Sequence, residues 1–326
     1  MTRKRIITSK IEPVGGLKTL RRYLAGRFTY FTPDQWHKEI MAGRVSLDDV
    51  VVTDPSIVLK GGESLAYDGS AIFEPEVDDR IGILYEDESF IAVNKTGNLP
   101  VHPSGRYFNH TLTAILEDRL GRRVFPAHRM DRETSGVMLL AYDGKTAGLL
   151  SASLARGTKA YLALVHGIFP DGETVVDLPL GRDETSTIRK KRRAWPGGME
   201  AALTKFLRVL AAGDISLVRC FLETGRLHQI RAHLSAIGFP VVGDKLYGRD
   251  EAAFLAFVQQ GLTPDLESRL LLTRQALHAA KFIFLHPATH REVIVRAPLP
   301  KMFSAFIRKN RRLAEGDGLL FPHLSE

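Results

Sequence analysis

Apolar residues recur every three or four positions in "LKTLRRYLAGRF" (17–28) and "TPDQWHKEIMAGRV" (32–45). This spacing predicts two helices, with Thr32 or Asp34 as the N-terminal cap of the second. "RVSLDDVVVTDPSIVLKGGESLAY" (44–67) then alternates apolar and polar positions around turns at Asp54-Pro55 and Gly61-Gly62, which predicts a small hairpin. Together these segments describe a compact α/β module over residues 1–72. "FEPEVDDR" (73–80) is acidic and proline-containing and reads as a linker over 73–81.

From residue 82 to 326 the pattern changes. "IGILYEDESFIAVNKTG" (81–97) reads as two strands around an Asp-Glu turn, and "GVMLLAY", "KAYLALVHG", "ISLVRCFLETG" and "REVIVRA" read as further strands. Helical spacing appears in "NHTLTAILEDRLG", "KTAGLLSASLARG", "RLHQIRAHLSAIG" and the Ala/Leu-rich region 250–278. Strands and helices do not alternate as βαβ units. The expectation is therefore an α+β domain with a large mixed, mostly antiparallel sheet.

Composition narrows the function. The chain has 326 residues, of which 44% are hydrophobic, enough for a core and on length about two domains. It contains no apolar run of the roughly 20 residues that cross a bilayer, and no hydrophobic signal core follows the basic N-terminus. A cytoplasmic protein with no membrane partner is expected. A single cysteine, Cys220, excludes an internal disulfide framework and a multi-cysteine zinc site. The net charge of +8 points to an anionic partner, of which nucleic acid is the commonest large one.

Two stretches concentrate candidate chemistry. In "AHRMDRETSGVMLLAY" (127–142), Asp131 lies on the loop that leads into an apolar strand. A carboxylate held there needs a cationic partner, or its pKa rises. Capping a turn and pairing with Arg129 or Arg132 is the alternative role for Asp131. In "ETGRLHQIRAHLSAIGFPVVGDKLYG" (223–248), Leu227, Ile230, Leu234 and Ile237 form one stripe at about 100° per residue, and Arg231 falls inside its edge. A guanidinium turned toward a core calls for a carboxylate, so an Asp131–Arg231 pair is expected. Other chemistries lose support. His228 and His233 are five residues apart and face different sides of a helix, which disfavours zinc, and Ser135 sits in no G-x-S-x-G elbow. Neither a Walker loop nor a G-x-G-x-x-G motif is present. Tyr161 reads either as core packing or as a platform for a flat base.

At this point the motifs resemble a family. "HRMDRETSG" is similar to the H-R-L-D-x-x-T-S-G motif of the RluA class of RNA pseudouridine synthases, and "GRLHQIR" (225–231) and "GDKLYG" (243–248) resemble two more of its motifs. Weaker matches at 84–105, 159–167 and 277–287 keep the family order, so the resemblance spans roughly residues 82 to 300. Met130 replaces the usual Leu and Thr96 the usual Pro; neither change removes a reactive group. Residues 1–72 resemble an S-four-type RNA-binding module through Leu20, Leu24, Ile40, Gly43, Arg44, Val45, Val51, Pro55, Lys60, Gly62 and Glu63. In this chain "TYFTPDQWH" replaces the usual Ser-Arg run.

The resemblance implies isomerisation of uridine to pseudouridine in ribosomal or transfer RNA, with no metal and no small-molecule cofactor. It implies Asp131 as the catalytic carboxylate, Arg231 as the residue that holds it and Tyr161 as the residue packed on the uracil. Arg129, with His128 beside it, would fill the gap left by a flipped nucleotide. The basic segment "IRKKRRAW" (188–195) offers Arg189, Lys190, Lys191, Arg192 and Arg193 to phosphates, with Trp195 for stacking. A solvated charged loop is the plainer reading of that segment. The appended N-terminal module favours large-subunit ribosomal RNA, and a monomer is expected. The competing functions are a catalytically silent RNA-binding protein and an RNA N-glycosidase, which would release free uracil.

Overall fold

The computed structural model describes residues 5–12, 18–28, 30–248 and 252–315. Packing divides the chain into two units, Met1–Val77 with His102–Gly121, and Asp78–Val101 with Arg122–Glu326.

The first unit contains β1 (Ile6–Lys10), α1 (Leu20–Arg27), α2 (Pro33–Met41), β2 (Val45–Leu47), β3 (Val50–Val52), β4 (Ser64–Asp68) and α3 (Leu112–Leu120). Both expected N-terminal helices form, and Leu20, Leu24, Trp36 and Ile40 bury against Val45, Leu65 and Tyr67. Thr32 is the cap of α2. Its hydroxyl accepts from the Gln35 N–H, the Gln35 side chain accepts from the Thr32 N–H, and Pro33 pre-sets the first turn. A hairpin forms, β2–β3, but it turns at Asp48-Asp49, both at positive φ, rather than at the expected Asp54-Pro55 or Gly61-Gly62, and it is only part of an antiparallel sheet in the order β1-β4-β2-β3.

Residues 102–121, which the sequence places in the larger domain, group with this unit for an identifiable reason. The Glu74 carboxylate, in the stretch expected to be a linker, accepts the backbone N–H groups of Phe108, Asn109 and His110. The Arg5 guanidinium donates to the carbonyls of Gly105 and Arg106. A carboxylate that satisfies three amides pins both segments at once.

The second unit contains β5 (Gly82–Glu86), β6 (Phe90–Lys95), β7 (Phe125–Pro126), β8 (Ser135–Ala141), α4 (Gly144–Arg156), β9 (Thr158–His166), β10 (Glu173–Asp177), β11 (Leu180–Arg182) and β12 (Arg192–Ala194). It continues with β13 (Leu203–Ala212), β14 (Ile215–Leu222), α5 (Gln229–Ala236), α6 (Ala252–Gln260), α7 (Pro264–Leu270), β15 (Leu277–Leu285), β16 (Glu292–Arg296) and α8 (Lys301–Glu315). Its main sheet has ten strands. Eight run in the order β10-β13-β14-β9-β15-β8-β6-β5, with β16 also on β15 and β7 on β8. Only β8–β15 is parallel, so the sheet is mixed and mostly antiparallel, as expected.

Helix α4 buries Leu150 and Leu154 against β8 and β15, and α8 contributes Phe303 and Ile307 to the same core. Two strands that amphipathic spacing does not predict belong to this sheet, β15 near its centre and β13 beside the edge strand β10. Among the described residues no helix is long and apolar enough to cross a membrane.

The parallel β8–β15 pairing fixes the mouth of the sheet. Gly136 sits opposite Ala279 at φ 107°, where a Cβ would stand 2.1 Å from the Ala279 carbonyl oxygen. Only glycine relieves both the backbone strain and the overlap. Gly136→Ala is expected to destabilise the fold by about 3 kcal/mol or more. Urea unfolding measures this as a lower midpoint; an unchanged midpoint would mean that the two strands part without cost.

Candidate active site

The loop before β8 carries the charged cluster of residues 128–133 and is held from below. Lys95, at the end of β6 and wholly buried, donates from Nζ to the carbonyls of Thr96, Leu99 and Arg132 at 2.8, 2.9 and 3.0 Å. All three ammonium protons are thereby used, the condition under which a buried lysine is tolerated. Glu133 pairs with Lys245 at 2.9 Å, and Lys245 also donates to the Thr273 carbonyl. Gln275 completes the frame, donating to Thr134 Oγ1 at 2.7 Å and to Asp131 Oδ2 at 3.4 Å.

Asp131 and Arg231 meet on this frame, with Nη1 of Arg231 2.8 Å from Oδ2 of Asp131. The same guanidinium grips a second carboxylate: Nε and Nη2 donate to Asp244 at 2.6 and 2.7 Å. Asp244 also accepts from the backbone N–H groups of Leu246 and Tyr247, and the Tyr247 ring centroid lies 4.8 Å from the guanidinium carbon. One buried cation therefore serves two carboxylates. Burial alone would push Asp131 up, but the Arg231 charge and the hydrogen bonds from Arg231 and Gln275 hold it below the usual carboxylate range. Burial also opposes the charge on Arg231, and Asp244 and Asp131 outweigh it, leaving the guanidinium more firmly protonated than usual.

The helix that presents Arg231 differs from its expected form. α5 begins at Gln229, because His228 takes a left-handed conformation at φ 60° and breaks the run from Leu227. Every residue from Gln229 to Leu234 is buried. Arg231 is thus enclosed by protein on a helix with no solvent side at this end, rather than lying at the rim of an amphipathic stripe.

Above the pair is a cavity of about 340 Å³ lined by Arg129, Asp131, Lys159, Tyr161, Leu222, Arg226, Ile230, Arg231 and Leu277, among others. That is the size of a small-ligand pocket. The Asp131 side chain is 22% exposed, so the cavity reaches the carboxylate. Tyr161 projects from β9 beside it, and its hydroxyl makes no hydrogen bond among the described residues. Apolar walls, one flat ring and a ring of cations suit a planar heterocycle on a phosphate chain.

The remaining expected site residues divide. Arg129 is exposed on the cavity wall. His128 also lines the cavity, but its ring nitrogens are taken by the backbone. Nε2 accepts from the Leu139 N–H at 3.2 Å and Nδ1 is 3.2 Å from the Arg129 carbonyl. It therefore has no polar atom left for a ligand, and it holds the loop to β8 instead.

The segment 188–195 is not wholly a loop, since Arg192–Ala194 form β12 and pair with β11. Arg189, Lys190 and Arg193 are exposed. Lys191 lies 3.7 Å from Asp183, and Arg192 donates its backbone N–H to the Tyr247 hydroxyl at 2.7 Å. Trp195 packs on Gly181, where an added Cβ would lie 2.4 Å from the indole.

Residues with no role assigned from sequence complete the site: Lys95, His228, Asp244, Tyr247 and Gln275. Asp244 carried a signal, a carboxylate directly after the apolar "FPVVG". Lys95, His228 and Tyr247 lie within the family-like stretches 84–105, 225–231 and 243–248, but those motifs alone assign them no role, because Arg132, Asp131 and Arg192, which they meet, come from distant segments; Gln275 lies in none of the motifs.

Comparison with known proteins agrees with this geometry. A family model described as RNA pseudouridylate synthase matches residues 89–236. The ribosomal large subunit pseudouridine synthase D of Zymomonas mobilis is 32% identical over 314 residues, which cover 90% of this chain and 95% of that one. The mitochondrial tRNA pseudouridine(32) synthase of Saccharomyces cerevisiae is 36% identical over 222 residues, covering 67% of this chain and 48% of that longer protein. Among solved structures, human RNA pseudouridylate synthase domain containing 1 matches with a TM-score of 0.53 at 26% identity, covering 73% of this chain and 98% of that one.

Proposed function

Because the chain belongs to the RluA class of RNA pseudouridine synthases, we propose that Asp131 is its catalytic carboxylate and large-subunit ribosomal RNA its substrate. The enzyme isomerises uridine within RNA. The bond from C1′ of the ribose to N1 of uracil breaks with its electron pair going to the base, the base turns, C5 bonds to C1′, the C5 proton is lost and N1 takes up a proton. An ionised carboxylate beside a planar base can attack the sugar, attack the ring or assist that proton transfer.

The observation that carries the assignment is the Asp131–Arg231 pair on the floor of the cavity. It keeps Asp131 ionised at the foot of a cavity with apolar walls. Tyr161 lies flat along the uracil, and Arg129, exposed at the wall, takes the place of the flipped nucleotide in the RNA stack. Arg189, Lys190 and Arg193 contact phosphates, and their exposure supports this. In the N-terminal unit Arg21, Arg22 and Arg27 are exposed on α1 while Leu20 and Leu24 are buried, which supports an RNA-binding role there too.

Ribosomal RNA is favoured because the relative named for it aligns along nearly its whole length. Transfer RNA is the second reading, favoured by the yeast relative. The test is to map pseudouridines in both RNA classes from cells with and without the protein, and to measure tritium release in vitro from RNA labelled at carbon 5 of uracil. Loss of a site in large-subunit RNA is the expected result, and loss only in transfer RNA would move the target. If the purified protein released no tritium from either class, Asp131 would have no isomerisation to catalyse.

A further inference from the structure

The two oxygens of Asp131 have unequal surroundings. Oδ2 accepts from Arg231 and Gln275, whereas Oδ1 makes no hydrogen bond among the described residues. The group facing Oδ1 is Nε2 of His228, 3.7 Å away. That is longer than an ordinary hydrogen bond, and a movement of about 1 Å closes it, as catalytic hydrogen bonds often tighten when substrate binds. His228 reaches this place from φ 60°, a conformation that costs free energy for a residue with a Cβ.

The neighbours of the imidazole decide where its proton sits. The Tyr247 hydroxyl accepts the Arg192 N–H at 2.7 Å and lies 2.9 Å from Nδ1 of His228. It has one proton to give, and Nδ1 is in reach. Burial pushes the imidazole pKa down to about 4, so near pH 7 the ring is neutral and carries one proton. If that proton were on Nδ1, a lone pair on Nε2 would confront the Asp131 carboxylate. With Tyr247 donating to Nδ1, an N–H faces Oδ1 instead. Arg231, Asp244 and Arg129 are the other charged groups near the ring.

We propose that His228, held as its Nε2–H tautomer by the Tyr247 hydroxyl, is a positioning residue that aims Oδ1 of Asp131 into the cavity. The proposal rests on Asp131 being the reacting carboxylate. It gives the left-handed residue before α5 a purpose beyond starting the helix, and it links the carboxylate through Tyr247 to β12 of the basic hairpin.

Two substitutions at this position separate aiming from helix geometry. Asparagine tolerates positive φ best and matches Nδ1, but it has no atom where Nε2 stands. Glutamine tolerates that backbone less well, yet its amide nitrogen reaches the Nε2 position. At saturating RNA, His228→Asn is expected to lower single-turnover tritium release by about tenfold, and His228→Gln by no more than about threefold. Thermal stability should rank the two in the opposite order. Tyr247→Phe keeps the ring over Arg231 but removes the hydroxyl, and it should lower kcat about fivefold with KM for RNA within about twofold.

If His228→Asn equals or exceeds His228→Gln in rate, or Tyr247→Phe leaves kcat unchanged, the aiming role is overturned. Asp131→Asn, assayed beside them, reports on the underlying assignment separately. Activity retained there would remove Asp131 as the reacting group, whatever the order at position 228.

Discussion

Asp131→Asn is expected to lower tritium release from carbon-5-labelled RNA by about four orders of magnitude, the scale of losing a group on which the reaction depends. The substitution is nearly isosteric. An asparagine oxygen still accepts from Arg231 Nη1, and Arg231 keeps its bidentate grip on Asp244 at 2.6 and 2.7 Å. The cavity and its cations are untouched, so RNA affinity at fixed salt should stay within about threefold of wild type. The two readouts must separate. A fall in both would point to a distorted cleft, and a residual rate above about one hundredth of wild type would show that the carboxylate does not carry the chemistry. Free uracil in place of retained pseudouridine would identify glycosidic cleavage without reattachment.

How far this site is legible in the sequence depends on how local its causes are. An arginine inside an apolar stripe and a carboxylate at the mouth of a strand each carry an uncompensated charge, and that need is visible in one segment. Hence the Asp131–Arg231 pairing is readable from residues a hundred positions apart, and the structure places the two side chains 2.8 Å apart.

The strands with clear apolar blocks, β5, β6, β8, β9, β14 and β16, are readable in the same way. β15 is not. "LHAAKFIFL" lies between β8 and β9, and on a strand packed against neighbours on both sides little polar alternation remains to mark it. β13 carries "LTKFLRVLAA", whose Leu and Ala content suits a helix as well as a strand, and pairing with β10 and β14 decides the outcome.

Non-local hydrogen bonding is the other blind spot. Glu74 joins residues 102–121 to the first unit, Gln275 reaches back to Asp131 and Thr134, and Tyr247 meets the Arg192 amide. None of these has a spacing that one segment reveals. His128 shows the converse: its motif suggests a ligand contact, whereas the three-dimensional arrangement commits its ring to the backbone.

Arg231→Met is the second large effect, and its sign with pH is what identifies the cause. Methionine fills much of the arginine volume but leaves two carboxylates with no cation, which is expected to cost about 3–5 kcal/mol at pH 7. For a unit of this size that is a fall in Tm of roughly 10 °C, measurable by calorimetry. In the wild type, burial opposes the charge on Asp131 and Asp244, but Arg231 outweighs it and both pKa values lie below their unfolded values. Their contribution to stability is therefore present above the unfolded pKa near 3.9 and is lost only as pH falls through the lower folded values.

Without Arg231 the burial effect dominates and the folded pKa values rise above the unfolded ones. Stability from these groups is then present below about pH 4 and lost as pH rises through the folded values. The Tm deficit of the variant should accordingly be largest at pH 7 and shrink toward pH 5. Arg231→Lys should recover little, since a point charge cannot fork between Asp131 and Asp244. A deficit that stayed constant from pH 7 to pH 5 would mean that Arg231 acts by packing alone. The low pKa proposed to keep Asp131 ready for uridine would then need another source.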